Sequence, residues 1–157
     1  NVLEVGCGTG ILLKELKDNY EKIEFCGLDP NESGFHGYEG ISNNIISADK
    51  NLNIIKKDIN NYDFKKKFDL IFSFNVFEHI LDQEKYLKQT NSLLNENGLS
   101  IIFSPNYDFP YEPHFVLPII LNKKITKKIF NKRIELHEAK TKEIGLWEGL
   151  NLNGKKK

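Results

Sequence analysis

Three glycines and two carboxylates near the start of the chain form a pattern that can bind a nucleotide-like ligand. Gly6, Gly8 and Gly10 follow the apolar segment VLEV, which contains Glu4. Glycine accepts positive φ and has no side chain, so ligand and main chain can touch at such a bend. Asp29 ends a second apolar segment about 20 residues later, where a carboxylate can accept both hydroxyls of a ribose. These residue types predict a site for an adenosine-containing ligand.

The charge near this turn separates two classes of ligand. The dinucleotide fingerprint G-x-G-x-x-G holds a pyrophosphate and has its third glycine where this chain has Ile11. Glu4 would repel a pyrophosphate and attract a cationic ligand. S-adenosylmethionine carries a sulfonium and an amino group and no phosphate, so the sequence favours it over NAD. A purely structural partner for Glu4 remains the alternative, because a carboxylate in a buried strand needs a partner.

Five segments in order carry a resemblance to a known family. They are VLEVGCGTG (2–10), FCGLDPNE (25–32), NIIKKDI (53–59), FDLIFSFNVFEHI (68–80) and NGLSIIFSPN (97–106). Residues 1–106 thereby resemble the class I S-adenosylmethionine-dependent methyltransferases, in the broad group that includes the ubiquinone and menaquinone biosynthesis enzymes. The resemblance implies an α/β fold: a Rossmann-like, doubly wound, mainly parallel sheet with helices on both faces.

A length of 157 residues is enough for one core, so we expect one domain over residues 1–157. The same resemblance implies a cofactor role for further residues. Residues 1–106 would form the cofactor-binding core, and residues 107–157 a substrate-side and C-terminal helical segment. Asp58 would accept a hydrogen bond from an adenine amino group, with Ile59 beside it, and Asn75 would face the methionine end. Cys7 and Pro30 complete the predicted cofactor contacts. An aspartate after a strand is also commonly a turn former or a helix cap. Such a structural role remains the alternative for Asp29 and for Asp58.

The implied reaction is displacement at the sulfonium methyl, with S-adenosylhomocysteine leaving. A general base would help by roughly 10²–10⁴-fold if the acceptor is a hydroxyl. His79, four residues after Asn75, and His114, in the segment YEPHF, are the predicted catalytic bases. Bracing of the loop is the alternative role for His79. No ligand motif surrounds His36 or His137.

The absence of two known motifs narrows the range of possible methyl acceptors. Enzymes that methylate adenine or amide nitrogens typically carry [DNS]-P-P-[YFW] after the fourth strand, where this chain reads SFNVF. A cytosine-C5 enzyme would need a Pro-Cys nucleophile there, and that region has no cysteine. The sequence therefore predicts methyl transfer to a small molecule or sugar, at oxygen or carbon. A dinucleotide-dependent oxidoreductase and a non-catalytic methyltransferase-like binding protein remain the competing hypotheses.

Composition excludes several classes of partner. The formal net charge is +0 with a pI of about 7.1, so no overall field favours nucleic acid or an anionic membrane.

Cys7 and Cys26 have no neighbours at metal-ligand spacing, so we expect two buried thiols, no disulfide and no metal site. No apolar stretch approaches the ~20 residues of a membrane span, so we expect a cytoplasmic protein. Because the chain begins directly on the first strand, we expect both termini to be truncated.

Periodicity and turn residues predict the elements that position the site. Apolar runs predict strands at 2–5, 23–28, 53–57 and 68–74, and a fifth within 97–106. Helices are expected at 10–20, capped by Thr9, and at 82–97, ended by Gly98. Residues 30–51 predict a short helix or loop. A lysine-rich helix over 123–133 should bury an apolar side formed by Ile125, Ile129 and Phe130.

Overall fold

The strands form from the apolar segments that the sequence marks out. The computed structural model describes residues 1–30, 39–49, 52–63, 65–106 and 108–152. Its strands are β1 (Val2–Val5), β2 (Phe25–Leu28), β3 (Asn53–Ile55), β4 (Phe68–Phe74), β5 (Leu94–Phe103), β6 (Tyr111–Glu112) and β7 (Leu117–Pro118). Its helices are α1 (Ile11–Asn19), α2 (Glu39–Ala48), α3 (Gln83–Ser92), α4 (Lys123–Thr141) and α5 (Leu146–Gly149), and 3₁₀ turns span Ile59–Asn61 and Phe77–His79.

The main sheet is parallel and reverses its strand order at β1. In the described residues its order is β3-β2-β1-β4-β5, and every neighbouring pair is parallel. Chain order therefore runs outward in both directions from β1, which creates a crevice at the carboxyl ends of β1 and β4. Ligands bind at such a switch point in open α/β sheets. Strands β6 and β7 form a separate antiparallel pair.

Two apolar clusters show that helices cover both faces of the sheet. Alternating strand residues point to opposite faces. On one face Val2 and Phe72 pack with Leu13 of α1. On the other face Leu3 and Ile71 pack with Tyr86 of α3. The Rossmann-like, doubly wound α/β fold predicted from the sequence is confirmed.

The segment after β5 has a small apolar cluster of its own. Its buried members are Phe115, Leu117, Ile134, Trp147 and Leu150. The segment is tied back to the end of β4, because the backbone amide of Asn151 donates to the Glu78 carbonyl oxygen at 2.6 Å. Within the described residues this segment contains helices α4 and α5, and it lies against the carboxyl end of β4.

The boundary between α3 and β5 corrects one prediction. The helix predicted over 82–97 ends at Ser92, and β5 begins at Leu94. Leu93 is buried, and its carbonyl accepts a hydrogen bond from the Phe68 amide at 2.9 Å, which draws the chain into the sheet. Gly98 does not end the helix. It lies at an irregularity of the β4–β5 pairing, where a Cβ would come 2.9 Å from the Phe68 carbonyl oxygen.

The N-terminal cap of α1 and the buried face of α4 also differ from what the sequence predicts. The cap of α1 is Gly10 in a left-handed conformation, not Thr9. Helix α4 buries Thr126 and Ile134, whereas Ile129 is 57% exposed. The Thr126 hydroxyl accepts a hydrogen bond from the Ile120 amide at 2.7 Å, which turns this polar face inward. Hydrophobic spacing was therefore wrong for Ile129, whereas Phe130, as predicted, packs against the apolar cluster of the segment after β5.

Two predicted strands differ in length from the observed ones, and so does the segment predicted as a short helix or loop. Strand β2 begins at residue 25 and β3 ends at residue 55, so both are shorter than predicted. The segment predicted as a short helix or loop contains the ten-residue helix α2, whereas residues 31–38, with His36, and residues 50 and 51 lie outside the described residues. Within the described chain, no helix combines the length and hydrophobicity needed to cross a bilayer.

Candidate functional site

The glycine turn joins β1 to α1 at the carboxyl edge of the sheet. Gly6, Gly8 and Gly10 have φ angles of 73°, 52° and 80°, which favour glycine. A Cβ on Gly6 would collide with Val76, and one on Gly10 would collide with Ile54. A Cβ on Gly8 would meet nothing within 4 Å. Gly8 is therefore the position at which the main chain is open to a ligand.

Asp29 lies at the end of β2 and contacts this open glycine. Its Oδ2 accepts a hydrogen bond from the Gly8 amide at 2.8 Å. Its own amide donates to the Ile55 carbonyl oxygen at 3.0 Å. These two bonds fix the backbone and the carboxylate of Asp29 beside the glycine turn, and its contact with a ribose stays a prediction. Pro30 follows and is exposed at the same edge.

Glu4 is the buried carboxylate of the site. It is 5% exposed, and its Oε2 has no hydrogen-bond partner among the described residues. Burial, followed by the charge of Asp29, raises its pKa to about 7. An unpartnered buried carboxylate is costly, and a cationic or hydrogen-bonding ligand would offset that cost.

Cys7 lies beneath the turn and packs into the sheet. It is 7% exposed, and a Cβ on Gly27 would come 2.7 Å from its sulfur. Burial raises the pKa of its thiol. The side chain therefore acts as a small buried hydrophobe, which leaves its backbone for any contact with a ligand.

Asp58 and Ile59 follow β3 at the same edge. The Asp58 carboxylate caps the 3₁₀ turn by accepting a hydrogen bond from the Asn60 amide at 2.7 Å. Ile59 is 2% exposed and packs in the apolar cluster that contains Leu28. The capping role anticipated as an alternative for Asp58 is present, and its contact with adenine stays a prediction.

Asn75 marks the end of β4. It is exposed and has a φ of 54°, a left-handed conformation that asparagine tolerates better than most residues. Its amide donates to the Phe103 carbonyl oxygen at 2.9 Å. This bend directs the following residues, Val76 and the 3₁₀ turn, across the edge of the sheet toward the glycine turn.

A rim cluster of four side chains lies beyond this bend: Glu78, His79, Glu112 and His114. The two imidazole rings, both predicted as catalytic, have centroids 5.7 Å apart. His114 Nδ1 lies 2.6 Å from Glu112 Oε1, and Glu112 Oε2 accepts from the Phe115 amide at 2.7 Å. Glu78 Oε1 lies 4.0 Å from His114 Nε2. The structure therefore brings the two predicted histidines together and adds two acids.

The pKa values of the four rim-cluster side chains shift in different directions, because burial dominates for some of them and hydrogen bonds dominate for others. Burial lowers the pKa of His79 to about 4. The hydrogen bond to Glu112 raises the pKa of His114. Burial raises the pKa of Glu78, whereas for Glu112 the effect of burial is outweighed by hydrogen bonds from His114 and Phe115, so its pKa is lowered. His79 is thus held neutral beside an imidazole that binds its proton more tightly.

Neither Glu78 nor Glu112 was predicted from the sequence as a site residue. Glu112 stands two residues before His114, a spacing that places side chains on one face of an extended segment. This spacing is a signal in the sequence from which Glu112 can be predicted as a neighbour of His114. Glu78 directly precedes His79, and its carbonyl oxygen accepts a hydrogen bond from the Asn151 amide, a contact that no local pattern shows.

Comparison with known proteins gives consistent matches. A family profile described as a methyltransferase domain matches residues 1–155. An uncharacterized protein of Mycobacterium tuberculosis is 29% identical over 151 residues, which cover 96% of this chain and 51% of that protein. Malonyl-[acyl-carrier protein] O-methyltransferase 1 of Ilyobacter polytropus is 36% identical over 106 residues, which cover 66% of this chain and 37% of that protein.

Solved structures share the fold and the region of similarity. PKMT2 from Rickettsia typhi, in complex with AdoHcy, is 29% identical with a TM-score of 0.55, covering 64% of this chain and 20% of that one. The chain spans about half the length, or less, of the curated relatives described above. The likeness therefore concerns one part of larger proteins.

Proposed function

We propose, from the premise that the chain belongs to the family of methyltransferase domains, that it binds S-adenosylmethionine and transfers a methyl group to a small molecule or sugar. The acceptor atom is an oxygen or a carbon. The observation that carries this proposal is the pairing of a buried, partly unpartnered Glu4 with the open main chain at Gly8.

The residues of the glycine turn fit this cofactor. Glu4 supplies negative charge in a buried position, which suits an amino acid ammonium and opposes a pyrophosphate. Gly8 has no side chain and leaves space above the backbone. Asp29, already bonded to the Gly8 amide, lies where it can exchange that bond for ribose hydroxyls. When bound, S-adenosylmethionine supplies an electrophilic methyl group on its sulfonium.

Further residues along the edge of the sheet complete the proposed cofactor site. Asp58 and the backbone of Ile59 lie toward the adenine, and Asn75 lies toward the methionine end. Pro30 borders the ribose at the end of β2. These roles follow from positions at the carboxyl ends of β2, β3 and β4, where open α/β sheets bind ligands.

The rim cluster lies on the acceptor side of the site. His114 is held by Glu112 through Nδ1, which leaves Nε2 to take a proton from an acceptor hydroxyl. A histidine oriented by a carboxylate is a common arrangement for a general base. The protein's work is then to position acceptor and methyl group, with proton removal by His114 as the added contribution.

Calorimetry together with a product screen tests this proposal. The chain should bind S-adenosylhomocysteine and not NAD, because Glu4 and Ile11 disfavour a dinucleotide. An untargeted screen with labelled S-adenosylmethionine and fractionated small-molecule extracts should then yield a methylated product. Binding of NAD without S-adenosylhomocysteine would support the oxidoreductase hypothesis instead. Binding of S-adenosylhomocysteine without any methylated product would support a non-catalytic binding protein.

A further inference from the structure

Glu78 is a buried carboxylate without a hydrogen-bond partner. It lies in the 3₁₀ turn after β4 and is 1% exposed, and neither Oε1 nor Oε2 has a hydrogen-bond partner among the described residues. Buried polar atoms are nearly always hydrogen-bonded, and a buried charge normally has a counter-charge or a metal. The carboxylate therefore has hydrogen-bonding capacity that the described residues do not fill, and its ion-pair contact with His114 Nε2 is long, at 4.0 Å.

Two imidazoles face this carboxylate. One ligand atom from each of Glu78, His79 and His114 can be chosen so that all three lie within 4.8 Å of one another. The distance from Glu78 Oε1 to His114 Nε2 is 4.0 Å, which is too long for a hydrogen bond. A cation with bonds of about 2.0–2.2 Å could lie between such atoms after small side-chain rotations.

The outer contacts of His114 match those of a metal-bound histidine. Glu112 Oε1 is 2.6 Å from Nδ1, and Glu112 is fixed in turn by the Phe115 amide at 2.7 Å. A carboxylate at one ring nitrogen fixes the tautomer and directs the lone pair of the other nitrogen toward the metal. Nε2, the nitrogen nearer Glu78, is thereby left as the coordinating atom.

We infer that Glu78, His79 and His114 bind a divalent transition-metal ion, and that Glu112 orients His114 as its outer partner. Two imidazoles and one carboxylate suit Zn²⁺ and neighbouring first-row ions, and three protein ligands leave a position open for an oxygen of another molecule. The expectation of no metal site rested on cysteine spacing alone. These ligands come from the end of β4 and from the β6–β7 loop, which only the fold brings together.

This inference depends on the proposed function only for the identity of that fourth ligand. If the chain transfers methyl groups, the open position faces the acceptor, and a hydroxyl bound there loses its proton more readily. His114 Nε2 would act as the base only in the metal-free chain; with the metal bound it would be a ligand, and the proton of the acceptor would pass to solvent. Metal binding itself requires neither cofactor nor acceptor.

Titration of the untagged, chelator-treated chain with Zn²⁺ tests the site. We expect saturable binding of one Zn²⁺ per chain by calorimetry. Glu78→Gln and His114→Ala should each weaken it at least tenfold, and Glu112→Gln by about 10–100-fold. His137→Gln is the matched control, because its ring packs on Phe115 outside the rim cluster, and it should bind as the wild type does.

Thermal unfolding separates loss of the site from loss of the fold. Glu78→Gln keeps the side-chain size and removes an unpartnered charge, so it should fold without metal at least as stably as the wild type. Zn²⁺ should then raise the Tm of the wild type and leave that of Glu78→Gln unchanged. The inference is overturned if no saturable binding occurs below about 1 mM Zn²⁺, or if Glu78→Gln and His114→Ala bind as the wild type does. Neither result bears on S-adenosylhomocysteine binding, so the two proposals fail separately.

Discussion

The Asp29 carboxylate accepts a hydrogen bond from the Gly8 amide at 2.8 Å, across the carboxyl ends of β2 and β1. This contact joins the acid that follows one strand to the open bend that follows its neighbour. It places a hydrogen-bond acceptor and bare main chain side by side at the switch point of the sheet.

Removal of the Asp29 carboxylate should weaken cofactor binding. Asp29→Ala is expected to reduce S-adenosylhomocysteine affinity by about 1.5–3 kcal/mol, the range for lost hydrogen bonds to a charged group. Calorimetry measures the change. Asp18→Ala is the control, because Asp18 is exposed at the far end of α1 and should leave the affinity unchanged. Equal affinity in Asp29→Ala would remove this residue from the site.

Burial of Glu4 should make folding stability depend on pH. The pKa of Glu4 is about 7 in the folded chain against 4.5 ordinarily, so the folded state favours the protonated form. Stability from this group is full below about pH 4.5 and is lost as pH rises through about 7. The stability advantage of Glu4→Gln over the wild type should therefore grow by up to about 3 kcal/mol across that window. Urea unfolding at several pH values measures it, and a constant difference would contradict the argument.

Alanine substitutions at Gly8 and Gly10 should distinguish a loss of folding stability from a loss of ligand contact. Gly8→Ala should cost only about 1–2 kcal/mol of stability, because the added methyl group has no neighbour and only the left-handed backbone opposes it. It should nevertheless weaken S-adenosylhomocysteine binding, because the methyl group occupies the open face of the turn. Gly10→Ala adds a collision with Ile54 and should destabilise the fold more. Chemical denaturation and calorimetry on both proteins give the comparison, and unchanged affinity in Gly8→Ala would place the ligand elsewhere.

Replacement of His114 should affect turnover and not cofactor binding. His114→Ala removes the imidazole held by Glu112, so methyl transfer to a hydroxyl should slow by about 10²-fold or more. Steady-state kinetics with the acceptor from the product screen, together with S-adenosylhomocysteine titration, checks both parts. His137→Gln serves again as the control. Full activity in His114→Ala would show that this histidine neither accepts the proton nor binds the acceptor.

Much of the cofactor side was predictable from the sequence, because its signals are local. The apolar runs placed β1 and β4, and the glycines at positions 6, 8 and 10 do adopt positive φ. Boundaries were less predictable where tertiary contacts decide them. Leu93 leaves the helical pattern because its carbonyl bonds to the Phe68 amide, a partner on another strand.

The rim cluster was predictable only in part. His79 and His114 were identified from their places after β4 and β5, but their contact with each other depends on the β6–β7 loop. Glu78 was missed because a charged residue in a turn normally faces water, whereas this side chain is 1% exposed. Sequence patterns report which residues can do chemistry, and the fold decides which of them meet.

Backbone amide chemical shifts during titration with S-adenosylhomocysteine test the central claim most directly. The account predicts saturable shifts that are largest at Gly6, Gly8 and Asp29, with small changes along α4. Absence of saturable shifts, or shifts centred on α4 or the β6–β7 loop while the glycine turn stays unchanged, would contradict it.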